Sequence, residues 1–378
     1  MHFLHILLAT VASIYYVHAT DINNNYRTRQ IQSFERRIMN GGLHWDAVQK
    51  RLYWVQSGFG DEEMAIVCYD PVGKVIKTAT IGGDQESKEK LKPLSMVIRV
   101  EGTVDKLLIG VKDKLAEIQW DCINDMVITN ENIVFLDARA RDEAERFNDG
   151  RADYEGRLWA GTITQDPKTE LFQYKANSGD IYSIDVGKDA QIKVVGKQII
   201  NGFEWSLDKT KLYYIDSHYS DKYIVYQRDF TTDPAKETVL YKVWDEEIGD
   251  ASYNTPITMH GNGMAIDNEG QLWVTVYAHQ KIIRIDPSTR TKTASIPLFK
   301  SKWPTSLCFG GENLDILFVT TSRIDNNSND KRTYPESGST YMITGLGVKG
   351  AGPSRPVKVT RPDEPGTSDP NKRRKLNG

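Results

Sequence analysis

Cysteine is scarce: Cys68, Cys122 and Cys308 are the only three in 378 residues. So few, odd in number and widely spaced, they exclude a disulfide-framed scaffold, and no CxxC or Cys/His spacing offers a zinc site. They read as buried free thiols, with one bridge left open to whichever two the fold brings together. Positive charge is not in excess either. Lys and Arg number 48 against 51 Asp and Glu, a net charge of −3, which leaves the body of the chain no electrostatic footprint for nucleic acid or a membrane surface. Membrane-length apolar runs are absent. Phe3 to Tyr16 is almost wholly apolar, but it is shorter than the ~20 residues that a spanning helix needs. With Val17-His18-Ala19 behind it, residues 1–19 read as a secretory signal peptide cut after Ala19, which predicts a secreted, extracellular protein.

What is present is a repeat. Leu52-Tyr53-Trp54-Val55, Leu107-Leu108-Ile109-Gly110, Leu158-Trp159-Ala160-Gly161, Leu212-Tyr213-Tyr214-Ile215, Leu272-Trp273-Val274-Thr275 and Leu317-Phe318-Val319-Thr320 recur at steps of 55, 51, 54, 60 and 45 residues. Aromatic and branched apolar residues in short runs, bounded by Gly, Asp, Asn and Lys, suit strands. Further strands follow several of them, as at Ile66–Pro71 with Gly73–Ile81, at Asp180–Asp185, and at Lys281–Pro287 with Thr291–Leu298. No long amphipathic helix intervenes. Several strands per ~50-residue repeat predict an all-β, six-bladed β-propeller of four-stranded antiparallel blades. The predicted ring covers residues 38–350, entered through a polar arm over 20–37 and followed by a disordered tail over 351–378.

Asn40, Asn148, Asn201 and Asn262 precede four of these runs by 12, 10, 11 and 10 residues, each with Gly one or two positions later. Asp46, Asp153, Asp208 and Asp267 follow. The spacing predicts an inner strand entered at Asn-Gly, a turn at the Asp, and then the Leu-aromatic strand. Asn-Gly is ordinary turn chemistry. Four copies in register predict more, namely asparagines from four blades gathered at one end of a central channel.

At these residues the chain resembles the regucalcin family, which takes in senescence marker protein, gluconolactonase and luciferin-regenerating enzyme. The resemblance lies in Arg146-Phe147-Asn148-Asp149-Gly150-Arg151 with Gly156-Arg157-Leu158-Trp159-Ala160-Gly161-Thr162, and in Asn201-Gly202-Phe203-Glu204-Trp205-Ser206-Leu207-Asp208 followed by Tyr213–Ser217. It continues in Gly263–Asp267 with Leu272-Trp273-Val274, and in Gly345–Gly350. It implies a metal-dependent lactone hydrolase in which calcium or zinc sits at one end of the channel. The ligands it implies are a first-blade Glu, the Asn of Asn-Gly-x-x-Trp-Ser and an Asp before Gly-Met that also serves as general base. It implies further that Arg and Asn of Arg-x-Asn-Asp-Gly hold the substrate.

Carried over residue by residue, the set is incomplete. Arg146 and Asn148 match the substrate-binding pair, and Asn201 matches one metal ligand. The first-blade motif reads Asn40-Gly41-Gly42-Leu43-His44-Trp45, so Gly41 stands where the resemblance puts Glu. The base position reads His260-Gly261-Asn262-Gly263-Met264, so it is Asn262. A hard cation draws affinity from charged oxygens, so metal binding is expected to be weak or absent. An amide is no general base near pH 7, which forfeits a contribution of roughly 10²–10⁴-fold in rate. The expectation is a degenerate lactonase pocket serving a binding or interaction role toward a small molecule or another protein at the channel mouth, in a monomer. The alternative is an active lactonase or esterase with a rearranged site, in which His260, Asp149 or Glu204 makes up the loss. Glu204 otherwise reads as a turn residue, and His44 as packing beside Trp45. A receptor-type propeller, suggested by Leu52-Tyr53-Trp54-Val55, lacks the clustered cysteines and companion modules expected of one. Asn326-Asn327-Ser328 is the one glycosylation sequon, and Lys372-Arg373-Arg374-Lys375 gives the tail a basic end.

Overall fold

The computed structural model describes residues 26–361 except 33–37, 59–62, 141–144, 165–174, 176, 188–189, 198, 218–222, 249–262 and 325–327. The apolar leader, Asn326 and the basic cluster at 372–375 therefore lie outside the described residues.

Six antiparallel sheets form a ring, the predicted six-bladed β-propeller. Blade 1 runs outward through Ile38–Asp46, Arg51–Gly58, Met64–Asp70 and Val75–Ile81, with a short fifth strand, Met126–Ile128, parallel to its outer edge. Blade 2 is Leu94–Arg99, Lys106–Val111, Lys114–Gln119 and Ile133–Arg139. Blade 3 is Glu145–Ala152, Leu158–Thr164, Gly179–Ile184 and Ala190–Lys197. Blade 4 is Ile200–Trp205, Lys211–Ser217, Tyr223–Asp229 and Lys236–Lys242. Blade 5 is Met264–Ile266, Leu272–Val276, Lys281–Asp286 and Thr291–Pro297. Blade 6 takes Trp303–Gly310, Ile316–Ser322 and Thr340–Thr344 from one end of the chain and Arg27–Gln32 from the other.

Every Leu-aromatic run falls in the second strand of its blade, and the packing explains its composition. Alternate residues of a strand face opposite ways, and here both ways lead into a neighbouring blade. Leu52 and Trp54 pack toward blade 6, while Tyr53 and Val55 pack toward blade 2. Leu212 and Tyr214 face blade 3, and Tyr213 and Ile215 face blade 5. A strand buried on both faces has no polar side to show, so it reads as an unbroken apolar run. The hydrophobic core is accordingly six clusters, one at each blade-to-blade interface.

The turn between inner and second strands is built by the repeated aspartate. Asp153 Oδ1 accepts from the amides of Glu155 and Arg157 at 2.9 and 3.0 Å, and its Oδ2 from Trp159 Nε1 at 2.9 Å. Asp267 repeats the device with Glu269, Gln271 and Trp273. Asp46 accepts Val48 N in its turn and also pairs with Arg99 Nε of blade 2 at 3.0 Å, whereas Asp208 accepts only nearby turn groups, Ser206 Oγ, Thr210 N and Thr210 Oγ1.

Two boundaries differ from those expected. Arg27–Gln32, within the predicted arm, is the outer strand of blade 6 and joins the two ends of the ring. Residues 351–361, within the predicted tail, lie as a strap across the end of the channel where the aspartate turns gather. Ala351 N donates to Ile266 O of blade 5, Trp45 N of blade 1 to Ser354 Oγ, Val357 N to Arg99 O of blade 2, and Lys358 N to Gly156 O of blade 3. Thr360 N donates to Val186 O, and a Cβ on Gly187, at φ +89°, would stand 2.0 Å from Thr360 O. Composition hid the strap because backbone bonds to turns hold most of it. Val357 alone is wholly buried.

Candidate functional site

The inner strands begin at the channel mouth and end at the strapped floor. Near the mouth each of several inner strands carries a β-bulge, between Gly41 and His44 in blade 1, Phe147 and Asp149 in blade 3, and Asn201 and Phe203 in blade 4. A bulge inserts an unpaired residue and re-aims its side chain. In blades 3 and 4 this brings the asparagines together: Asn148 Nδ2 donates to Asn201 Oδ1 at 2.7 Å and to Ile200 O at 2.9 Å. Asn201 Nδ2 reaches Ser217 Oγ at 3.3 Å. Arg146 lies half-buried two residues before Asn148, with Nη1 donating to Phe147 O at 3.3 Å.

Asn40 does not join them. It is fully buried, and its Nδ2 donates to Thr321 O and Gly338 O at 3.0 and 2.9 Å, tying blade 1 to blade 6. Gly42 and Leu43 lie unpaired opposite Trp54 in the blade 1 bulge, so Asn40 stands 12 residues before its Leu run, against 10 and 11 for Asn148 and Asn201, and takes a different orientation. Asn262 and His260 lie outside the described residues.

Both acidic substitutes named in the sequence are engaged by protein groups, Asp149 by backbone amides and Glu204 by an arginine. Asp149 Oδ2 accepts from Gly202 N at 2.8 Å and Oδ1 from Gly150 N at 2.8 Å, so it braces the two bulges, and desolvation raises its carboxyl above the usual range. Glu204 is a strand residue rather than a turn residue. It is buried and forms an ion pair with Arg151, whose Nη2 also reaches Met264 O at 3.4 Å. Arg151 thus crosses the channel from blade 3 to blades 4 and 5. Together with Cys308 and strap residues 351–355, the pair lines a cavity at the floor. Arg151 was legible only as part of a motif, because its partner is 53 residues away.

His44 stands beside this pair. Its Nε2 accepts from Arg99 N at 3.3 Å, and burial, with Arg151 and then Arg99 nearby, lowers its pKa to about 3. The imidazole is therefore neutral in the folded chain at neutral pH. As pH falls below the ordinary 6.5, the unfolded chain takes up this proton first, so stability is full above that value and declines toward pH 3. The loss expected is up to a few kcal/mol. Asp46 and Asp149, raised by burial, act with the opposite sign above the ordinary carboxylate range. Urea midpoints measured between neutral and acid pH should therefore show a steeper acid loss in the parent than in His44→Gln, and equal slopes would refute the assignment.

The cation that the resemblance implies finds little here. Asn201 and Asn148 offer uncharged amides bonded to each other. A Cβ built on Gly41 meets nothing within 4 Å, so the first-blade ligand position is open space. Among the described residues no three His, Cys, Asp or Glu side chains are grouped to hold a metal. The described donor set does not fit a tightly held divalent ion.

Ring, bulged inner strands and amide pair define a six-bladed propeller with a polar site at one channel end. The sequence model of the SMP-30/Gluconolactonase/LRE-like region matches residues 40–323, and the chain belongs to that family. It is 31% identical over 302 residues to the regucalcin of Gallus gallus, covering 78% of this chain and 91% of that one. It is 38% identical over 213 residues to that of Xenopus laevis, covering 55% of this chain and 65% of the frog protein, just under two thirds of its length. A solved luciferin-regenerating enzyme superposes with a TM-score of 0.70 at 26% identity, covering 88% of this chain and all of the other.

Proposed function

We propose that this chain is a secreted, regucalcin-like propeller whose metal-lactonase pocket has lost its anionic ligands. In this reading it binds a small molecule or a protein partner at the channel mouth, with weak lactone hydrolysis at most. The observation that carries the reading is Gly41, which leaves open the space where the family resemblance puts a carboxylate. The described mouth keeps the groups suited to holding a polar ligand, Arg146, Asn148 and Asn201, and only amides at the metal position. Cation affinity follows the number of charged oxygens, and proton abstraction near neutral pH needs a base that an amide does not supply. The apolar leader ending in Val17-His18-Ala19 supports secretion.

The test is calorimetric titration of calcium and zinc into the full chain, with hydrolysis of small sugar lactones assayed with and without each metal. Weak binding and little turnover are expected. Gly41→Glu combined with Asn262→Asp should raise metal affinity roughly tenfold or more. Robust metal-dependent turnover by the parent chain would sink this reading and favour an active lactonase with a rearranged site. No gain in the double variant would mean that these two positions are not the ligand positions.

A further inference from the structure

We propose that Cys68 and Cys122 are a disulfide-forming pair that staples blade 1 to a segment of blade 2 crossing onto it. After Gln119 the chain leaves blade 2, pairs Met126–Ile128 alongside the outer strand of blade 1, and returns to blade 2 at Ile133. Cys122 sits at the start of that excursion with φ 59°. Cys68 lies on the third strand of blade 1, directly across from Tyr53. Cys122 Sγ donates to Tyr53 Oη at 3.3 Å and is also within hydrogen-bonding reach of the Cys68 thiol. Both cysteines belong to the cluster between blades 1 and 2. Cys308 packs in a different cluster, between blades 6 and 1, so the pairing is unambiguous.

The far end of the excursion is anchored by wholly buried Ile128, whose carbonyl accepts from Gly82 N at 2.9 Å. Between it and Cys122 the contacts with the blade edge are more exposed: Thr78 N donates to Asp125 Oδ1 at 2.8 Å, and Val127 of the parallel ladder is 56% exposed. The oxidant is a low-molecular-weight disulfide such as oxidised glutathione. One cysteine thiolate attacks it, forming a mixed disulfide and releasing one glutathione thiol. The second cysteine thiolate then attacks the protein sulfur of that intermediate and releases the other. Two protons and two electrons leave the pair, and one glutathione disulfide becomes two thiols. The hydrogen bond with Cys122, and then burial, push the Cys68 thiol up, which places the reaction during folding, before the interface closes.

The experiment uses the full chain, secreted by an oxidising host or refolded from denaturant with oxidised glutathione, against the same chain refolded with excess reductant. After oxidation, alkylation in denaturant should label Cys308 alone, and a non-reducing digest should contain one peptide joined through Cys68 and Cys122. The oxidised chain should melt several degrees above the reduced one. Cys308→Ser should leave link and shift unchanged, whereas Cys68→Ala should free Cys122 for labelling. Three labelled thiols after oxidation, or a link that includes Cys308, would overturn the proposal.

Discussion

Replacing Arg151 by Met is expected to cost about 3–5 kcal/mol, because it strands a buried carboxylate. Glu204 is 3% exposed, and Arg151 is the cation that pairs with it. The methionine keeps the aliphatic bulk but supplies no donor, so the carboxylate must take up a proton, draw in water, or turn the inner strand of blade 4. Glu204→Gln in the same chain should recover a large part of the loss, since an amide carries no charge to strand. A double-mutant cycle by urea unfolding measures the coupling. A second readout is independent of stability. Arg151 is one of the two cations holding down the His44 pKa, so Arg151→Met should let His44 titrate at a higher pH, visible in the imidazole proton resonances. An additive cycle together with an unmoved His44 titration would show that the ion pair does not span the channel.

The ring was readable in the sequence because its signal is repeated and local. A strand buried on both faces must be apolar throughout, and six such runs at nearly even steps admit few architectures. The mouth was readable in part. Asn148 and Asn201 stand 10 and 11 residues before their Leu runs and meet because Asn148 is the extra residue of the blade 3 bulge and Asn201 lies just before Gly202, the extra residue of the blade 4 bulge. Asn40 stands 12 residues before its run, ahead of a bulge whose unpaired residues are Gly42 and Leu43, and its side chain goes into the seam with blade 6. Glu204 misled for another reason: its strand neighbours were legible, but its partner, Arg151, lies on a different blade. The strap and Arg27–Gln32 were hidden by composition. Both are polar segments ordered mainly by backbone pairing to the ring, and such pairing leaves little trace in side-chain pattern.

The aspartate turns lead to an unequal set of losses. Asp267→Ala should destabilise by about 3–5 kcal/mol, whereas Asp208→Ala in the matching turn of blade 4 should cost roughly 1 kcal/mol. Both side chains accept turn groups near the end of an inner strand. Asp267 is wholly buried, and its Oδ2 also accepts Trp273 Nε1 at 2.9 Å and Arg284 Nε at 2.7 Å. Removing it leaves the indole donor of a buried tryptophan and a nearly buried guanidinium without that carboxylate, against the core between blades 5 and 6. Asp208 is solvated, and water replaces what it gives up. Burial thus makes the aspartate at this turn of blade 5 structural, while its counterpart in blade 4 is a local turn former. The same reasoning ranks Asp153 with Asp267, because it too caps a buried tryptophan, Trp159. Thermal unfolding of the three alanine variants tests the ranking. Equal losses at Asp208 and Asp267 would mean that turn formation, rather than the buried indole and guanidinium, sets the cost.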